Sequence, residues 1–363
     1  MKYNTVIKKV DAEIDYKDLM NNRVIEAGAE YLKADQVVAF PTETVYGLGA
    51  RACSKKAVGR IFSVKGRPAD NPLIVHLGEK SQLTKILGEK QNQISDRIQQ
   101  LIDNFWPGPL TIIFPRGKMI PGITTAGLET MAVRMPSHPV ARALITKTGF
   151  PLAAPSANTS GFPSPTTAQH VYQDLQGKLP LIIDGGSCQV GVESTVLDLS
   201  GNQPRILRPG AVTRRDISRI IGEKVIKNEQ QSNSVPEGQA PRAPGMKYRH
   251  YSPATPVLLV HGDDIRGLLE LLWEKKQDKP VLIATSETVA ALKKLQDPDY
   301  VKVVDMGSGG DLRQVARNIF ALLRKLDEKD TGLILVEAVP ATGIGEAIMN
   351  RLYKAAQNNI YLS

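Results

Sequence analysis

From Pro41 to His76 the chain alternates short apolar runs with polar turns: PTETVYGLGA, then VKGRP, then NPLIVH. Runs this short, closed by proline or small polar residues, predict strands that stop at turns rather than long helices. The pattern puts Thr44, Lys65, Arg67, Asn71 and His76 on turns and strand ends. Hydroxyls, fixed cations and an imidazole at such places suit recognition of a small polyanion. A second polar set, Ser156 and Asn158, lies in PSANTSG, and a third, Ser194 and Thr195, in VESTVLDL. Packing alone does not explain three such clusters on one apolar scaffold.

A length of 363 residues fits two domains. In the first, helical patterns cover residues 22–34, 55–63, 93–105 and 139–148. Strand-like runs cover 36–40, 72–77, 110–114, 131–135, 152–155, 181–184, 195–199 and 205–207. This predicts a mixed α/β domain over residues 1–222, with many turns and no simple βαβ repeat. Residues 228–245 are polar with repeated Pro and Gly, which describes a linker, and MKYRHYSP follows, dense in aromatic and basic side chains. The linker is assigned to residues 223–253. Beyond it the pattern simplifies to four buried-type strands, VLLV, VLIAT, VKVVDM and GLILVEAV, with helices near 264–276, 287–296, 311–327 and 345–356. Residues 254–363 therefore predict a smaller Rossmann-like domain, a parallel sheet with helices on both faces.

Charge separates the two parts. Lys and Arg total 46 against 37 Asp and Glu, and the whole excess lies in residues 1–253, with a net of +10. Such a field suits solubility, nucleotide phosphates or RNA. No apolar run approaches the roughly 20 residues that span a bilayer, and the start lacks an apolar segment typical of a signal peptide. Two cysteines, Cys53 and Cys188, make no disulfide framework, so the cytoplasm is expected.

Several chemistries lack their motifs. No G-x-x-x-x-G-K-[ST] occurs, the five histidines stand apart from any cysteine pair, and PSANTSG is not a nucleophile elbow. Gly307–Gly310 follows a strand and opens a helix but lacks the full dinucleotide fingerprint. The VKGRP turn reads either as a solvated turn or as two cations converging on phosphate oxygens. PSANTSG reads either as a plain loop or as short polar contacts to phosphate or ribose. Arg134, inside the apolar run MAVRMP, must be paired or at a site.

At these residues the chain resembles the threonylcarbamoyl-AMP synthases in their long, two-domain form. PTETVYGLGA, KGRP, NPLIVH, WPGPLT, VRMP, PSANTSG, ESTVLDL and RILRPGAV follow the order of that family's YrdC-like catalytic domain. APGMKYRHYSP resembles the interdomain motif of the long form. The resemblance implies condensation of L-threonine, bicarbonate and ATP to threonylcarbamoyl-AMP with release of pyrophosphate. Downstream transfer proteins then pass the group to adenosine 37 of tRNA as N6-threonylcarbamoyladenosine. Carried over by position, it implies a threonine pocket of Thr44, His76, Arg134, Ala154 and Ser194, with Arg134 on the carboxylate. On the ATP side it implies Arg67, Asn71, Thr130, Ser156, Ser164, Arg208 and Ala243. Lys65, Arg67, Ser156 and Asn158 form the Lys-x-Arg and Ser-x-Asn signatures given catalytic roles, with Lys65 and Arg67 neutralising phosphates.

Mg²⁺ is expected to arrive with ATP, held mostly by phosphates and water, and no protein ligand is assigned. Glu43 and Glu193 lie beside pocket residues and are the acidic candidates, with surface or structural roles as the alternative. Residues 241–253 are expected to fold over the catalytic cleft as a lid. Two competing readings remain: a double-stranded RNA-binding, translation-associated protein without adenylate synthesis, and a carbamoyl transferase. The second would call for zinc-finger cysteines that the chain lacks.

Overall fold

The computed structural model describes residues 3–227, 241, 251–262, 265–294, 302–327 and 330–362, and these fall into two compact units. The first draws on residues 1–160, 164–189 and 193–248, the second on 161–163, 190–192 and 249–363.

In chain order the first unit contains β1 (Val6–Lys9), α1 (Tyr16–Met20), α2 (Arg23–Lys33), β2 (Val38–Phe40), β3 (Gly47–Arg51), α3 (Lys55–Lys65), β4 (Ile74–His76), α4 (Ser81–Leu87) and α5 (Asp96–Phe105). It continues with β5 (Leu110–Pro115), β6 (Thr130–Arg134), α6 (Pro139–Thr148), β7 (Leu152–Ala153), α7 (Ala168–Leu175), β8 (Leu181–Asp184), β9 (Thr195–Asp198), β10 (Arg205–Arg208), α8 (Arg214–Ile221) and β11 (Ile226–Lys227). Among the described residues these strands form one mixed sheet in the order β1-β8-β2-β3-β7-β4-β6-β5-β9-β10-β11.

Local chemistry sets the boundaries. Asn22 caps α2 by accepting from the Val24 and Ile25 amides. Thr213 and Asp216 form a reciprocal capping box on α8. Period-two alternation sends Val38, Phe40, Leu181 and Ile183 into a core with α1, α2 and α6, and Val37, Ala39 and Ile182 into the core on the opposite face. Strand β3 is absent from the sequence reading, because GLGAR looks like a turn. The glycines are there for fit: the Phe40 ring lies over this strand, and a Cβ on Gly49 would come within 2.6 Å of it. Helices α1, α4, α7 and α8, and the short strands β1 and β11, also lie outside that reading. β11 falls in the stretch assigned to the linker and pairs with β10.

The second unit contains β12 (Val257–His261), α9 (Ile265–Glu274), β13 (Pro280–Ala284), α10 (Ser286–Lys294), β14 (Lys302–Asp305), α11 (Leu312–Leu326), β15 (Leu333–Glu337), α12 (Gly345–Ala355) and β16 (Ile360–Leu362). All strand pairs are parallel, in the order β14-β13-β15-β12-β16. The four expected strands are present, and β16 adds a fifth at the edge. The chain steps one way along the sheet through α9 and α10 and back through α11 and α12. Right-handed crossovers therefore put each pair on its own face, and α9 packs with α10 as α11 does with α12. At the glycine-rich turn the Glu287 carboxylate accepts from Ser308 Oγ at 2.6 Å and Gly309 N at 2.9 Å. These bonds, the Ser308 hydroxyl first, push its pKa down to about 2. The other amides of the turn are also engaged within the protein, Gly307 N by Asp305 Oδ1, Ser308 N by Gln314 Oε1 and Gly310 N by Ser308 Oγ.

Replacing Gly49 by alanine should destabilise the protein by about 1–3 kcal/mol through overpacking against Phe40. Adding Phe40→Leu should recover part of that loss, so urea titrations of the two single variants and the double variant should show non-additive midpoints.

Candidate active site

Strands β4, β6, β5 and β9 share a face in the first unit. Along it Ile74, Ala132, Ile113 and Val196 form a small apolar cluster with Leu207. Two residues further along each chain segment, or two before it, alternation brings His76, Arg134, Thr111 and Ser194 to the same face. Register agrees: Arg134 pairs across to His76 on one side and Thr111 on the other. Thr130 shares this face at the far end of β6, about 13 Å from Arg134 at roughly 3.3 Å per residue.

Arg134 is 3% exposed, and three segments of the fold approach its guanidinium. Its Nε donates to Gly108 O at 3.3 Å and its Nη1 to Thr44 Oγ1 at 2.9 Å. Its Nη2 lies 2.7 Å from Glu43 Oε2 in a buried ion pair. Thr44 is presented by the loop between β2 and β3, where the Thr42 hydroxyl donates to Val45 O at 2.6 Å and lies 2.9 Å from the Thr44 hydroxyl. Next along the face, Thr111 Oγ1 and Ser194 Oγ are 2.8 Å apart. Arg208 donates to Ser194 O through Nε and Nη2, and to Ser194 Oγ at 3.0 Å. A bulge in β10 sets both Ile206 and Arg208 against β9 with a shifted register, which brings Arg208 opposite Val196. Gly210 permits this closeness, since a Cβ there would meet the Thr195 amide at 2.3 Å.

The second group forms around the end of α3. Gly66 caps the helix in the left-handed conformation (φ 62°), so the chain turns sharply between Lys65 and Arg67. Lys65 is 2% exposed; its ammonium donates to Ser156 O at 2.5 Å and Asn158 O at 2.6 Å. Ser156 Oγ in turn donates to Asn158 Oδ1. The Lys-x-Arg and Ser-x-Asn signatures are therefore one assembly. Lys65 holds the serine–asparagine loop in shape rather than standing alone toward a phosphate. Arg67 donates to Pro72 O at 3.3 Å. Asn71 is 1% exposed, and neither its Oδ1 nor its Nδ2 has a hydrogen-bond partner among the described residues. A buried carboxamide left in that state points to a ligand.

Backbone links join the two groups. Gly47, directly after the Thr44 loop, bridges to Ser156, and the Ala157 amide donates to Tyr46 O. Ala154 N donates to Ile74 O, two residues before His76. Ser164 bonds to Glu193, and both are buried. Residues 242–250, which hold Ala243 and most of the expected lid, lie outside the described residues. Glu43 and Glu193 are both interior, so a surface role is ruled out for them. The sequence reading also gave no role to Thr111 or to Glu43 as the partner of Arg134. The signal was available: one acid and one cation, each inside an otherwise apolar or hydroxyl-bearing block.

Burial first, and then the Arg134 charge, push the His76 pKa down from 6.5 to about 3, against a small opposing effect from its bond to Ile74 O. Its Nδ1 lies 3.0 Å from that carbonyl. With Nδ1–H donating, the neutral ring offers Nε2 as an acceptor. Burial raises the Cys188 thiol pKa and lowers that of the His138 imidazole. Among the described residues no group of three or more His, Cys, Asp or Glu could hold a metal ion.

An unfolded His76 takes up a proton near pH 6.5, whereas the folded one resists until about pH 3. Stability from this group is therefore present above pH 6.5 and is lost as pH falls. Relative to the parent, His76→Gln should lose less of its melting temperature between pH 7 and pH 4, as measured by calorimetry at each pH.

Known proteins resemble this chain through both of its domains. The family model described as "Telomere recombination" matches residues 30–210, and the one described as "Threonylcarbamoyl-AMP synthase, C-terminal domain" matches residues 212–357. The chain is 43% identical to the threonylcarbamoyl-AMP synthase of Pyrococcus abyssi, over 94% of this chain and 97% of that protein. It is 44% identical to the Bacillus subtilis synthase, over 94% and 95%. The crystal structure of P. abyssi Sua5 complexed with L-threonine superposes with a TM-score of 0.87 at 41% identity, covering 99% of each chain. Similarity of this extent, running through both domains, makes the chain a member of the threonylcarbamoyl-AMP synthase family in its long, two-domain form, an enzyme of the nucleotidyltransferase type.

Proposed function

We propose that the protein condenses L-threonine, bicarbonate and ATP into threonylcarbamoyl-AMP and pyrophosphate, for N6-threonylcarbamoyladenosine formation at position 37 of tRNA. The observation that carries this reading is the joining of two polar groups on one sheet: Thr44, His76, Arg134 and Ser194 on one side, Lys65, Asn71, Ser156 and Asn158 on the other. The threonine-bound relative and the synthase names of the homologues favour the amino acid named here.

In this reading Arg134 faces the amino acid's carboxylate, while Thr44, Ser194 and the neutral His76 read its hydroxyl and amine. Ala154 contributes backbone. A pocket of buried hydrogen-bonding groups rejects valine, because valine would leave them unpaired. Threonine's amine, once neutral, adds to bicarbonate with loss of water to give a carbamate. The carbamate oxygen, already anionic, attacks the α-phosphorus of ATP, and the bond to the β-phosphate oxygen breaks to release pyrophosphate. No covalent nucleophile is needed. The protein supplies in-line placement and fixed positive charge, the chief levers in transfer at phosphorus. Arg67 and Arg208 provide charge; Asn71, Thr130, Ser156 and Ser164 provide hydrogen bonds. Lys65 acts on the nucleotide by holding the Ser156–Asn158 loop and adding its field. Mg²⁺ would come with the nucleotide, on phosphate oxygens and water. The described side chains offer no cluster to hold it, and the steps above rest on the protein's own groups.

Among the described residues no helix is long and apolar enough to cross a membrane, and we place the enzyme in the cytoplasm beside its tRNA and transfer partners. The basic excess of residues 1–253 suits a triphosphate and a passing tRNA alike. The synthase relatives favour catalysis over the RNA-binding alternative.

Pure protein given ATP, bicarbonate and labelled threonine should release pyrophosphate and form the labelled mixed anhydride only when all three are present. Absence of both products would refute the reading. Arg134→Ala should weaken threonine binding at least a hundredfold and ATP binding only a few-fold in calorimetry. It should also lower the melting temperature, because stripping one partner from a buried ion pair costs about 3–5 kcal/mol. Asn71→Ala should behave oppositely. Removing an unsatisfied buried amide should leave the melting temperature unchanged or higher, while ATP affinity falls roughly tenfold, the scale of a lost hydrogen bond to a charged group.

A further inference from the structure

The Glu43–Arg134 pair holds hydrogen-bonding capacity that the fold itself does not use. Nη2 and Oε2 are 2.7 Å apart, close enough for a strong Coulombic contact. Their geometry is not that of a hydrogen bond, however: Nη2 and both Glu43 oxygens have no hydrogen-bond partner among the described residues. Glu43 is 5% and Arg134 3% exposed, so water does not readily supply what is missing. An ionised carboxylate buried with its lone pairs unfilled is a heavy cost to a fold, and a salt bridge alone seldom repays it.

The surroundings do not relieve Glu43. It acts electrostatically on the Cys188 thiol and the His138 imidazole, and burial disfavours the charged form of each. The adjacent hydroxyls are committed: Thr42 donates to Val45 O, and Thr44, which accepts from Arg134, donates to Thr42 Oγ1. What fits is a ligand that donates N–H bonds to the carboxylate and accepts them at the guanidinium from a position only one carbon away. The α-ammonium and α-carboxylate of a free amino acid have that spacing and those charges. A net-neutral ion pair is also a better host for a zwitterion than for a lone carboxylate, which would be repelled by Glu43 as it approached Arg134.

We propose that Glu43 receives the α-ammonium of the amino-acid substrate, so that Glu43 and Arg134 together select a zwitterionic head group. This rests on the synthase reading and adds a specificity-determining residue to the pocket assigned there. It explains why an acid stands beside the cation expected to hold the substrate's carboxylate. It also sets an order of events: the amino acid docks as the free zwitterion, and its amine is converted to carbamate only after it is held.

Isothermal calorimetry on the full chain can test this with two ligands, threonine and 2,3-dihydroxybutanoate, which replaces the ammonium by a hydroxyl. The parent protein should prefer threonine by roughly thirtyfold or more, the scale of a buried charge-assisted bond. Glu43→Gln should lose most of that preference, with threonine weakened and the hydroxy acid unchanged or tightened as Arg134 is released from its counter-ion. Equal affinity of the parent for both ligands would overturn the proposal, and this arm needs no variant. So would an equal loss for both ligands in Glu43→Gln, which would mean that Glu43 acts only by placing Arg134. Glu43→Asp, which keeps the charge, should restore part of the preference. Failure of the synthase reading is separate: threonine selectivity without pyrophosphate release would refute the reaction and leave the recognition intact.

Discussion

The guanidinium of Arg134 is the contact on which the rest of the site depends. Three segments distant in sequence converge on it: the loop at Glu43 and Thr44, the turn at Gly108, and its own strand β6. Strand β6 is paired on both sides at Arg134, and its side chain ties the loop and the turn to that fixed point. A planar cation with donors in a fixed fork can satisfy all three at once, which an ammonium could not. Burial makes the arrangement rigid, since in a low-dielectric interior the cost of breaking any one contact is high. It also accounts for the neutral state of His76, whose proton affinity is lowered by burial and then by the Arg134 and Arg208 charges.

The same economy governs the Lys65 region. A buried ammonium there is bonded to two carbonyls of one loop, so the cation shapes the loop and charges the site in one stroke. Preorganisation of this kind lets short side chains such as Ser156 and Asn158 act with little entropy to lose. Asn71 is the exception: it is buried, and both ends of its carboxamide are unmet among the described residues. In the second unit the comparable turn behaves differently. Asp305, Gln314, Glu287 and Ser308 take up the amides of the Gly307–Gly310 loop from within, and a Rossmann-like topology does not by itself imply a dinucleotide site.

Much of the architecture was legible because it follows from local periodicity. The helix at 139–148 and the strand at 181–184 fall where the pattern put them, as do the four main strands of the second unit. Strand β3 was not legible, because its glycines serve the Phe40 ring of a neighbouring strand, and no property of GLGAR taken alone reveals that. Short elements such as α1 and β16 escaped for a related reason: they carry too few residues for a period to emerge, and tertiary pairing stabilises them.

The site divides along the same line. Sequence by itself determined which residue types were available and where strands would end, so Thr44, His76, Arg134 and Ser194 could be named as pocket residues. Ordered motif blocks carried the family. Only the tertiary structure decided which charges meet. Glu43 lies some ninety positions from Arg134, and nothing in either segment specifies the pairing. The Lys65 ammonium, read from sequence as a phosphate partner, is also bonded to two carbonyls of the Ser156–Asn158 loop. Arg208 reaches Ser194 only because a bulge shifts its register. Local sequence sets φ/ψ preference and hydrophobic period, which act over a few residues. Partner choice among buried charges is set by where the sheet brings distant segments together, and that is a property of the whole fold.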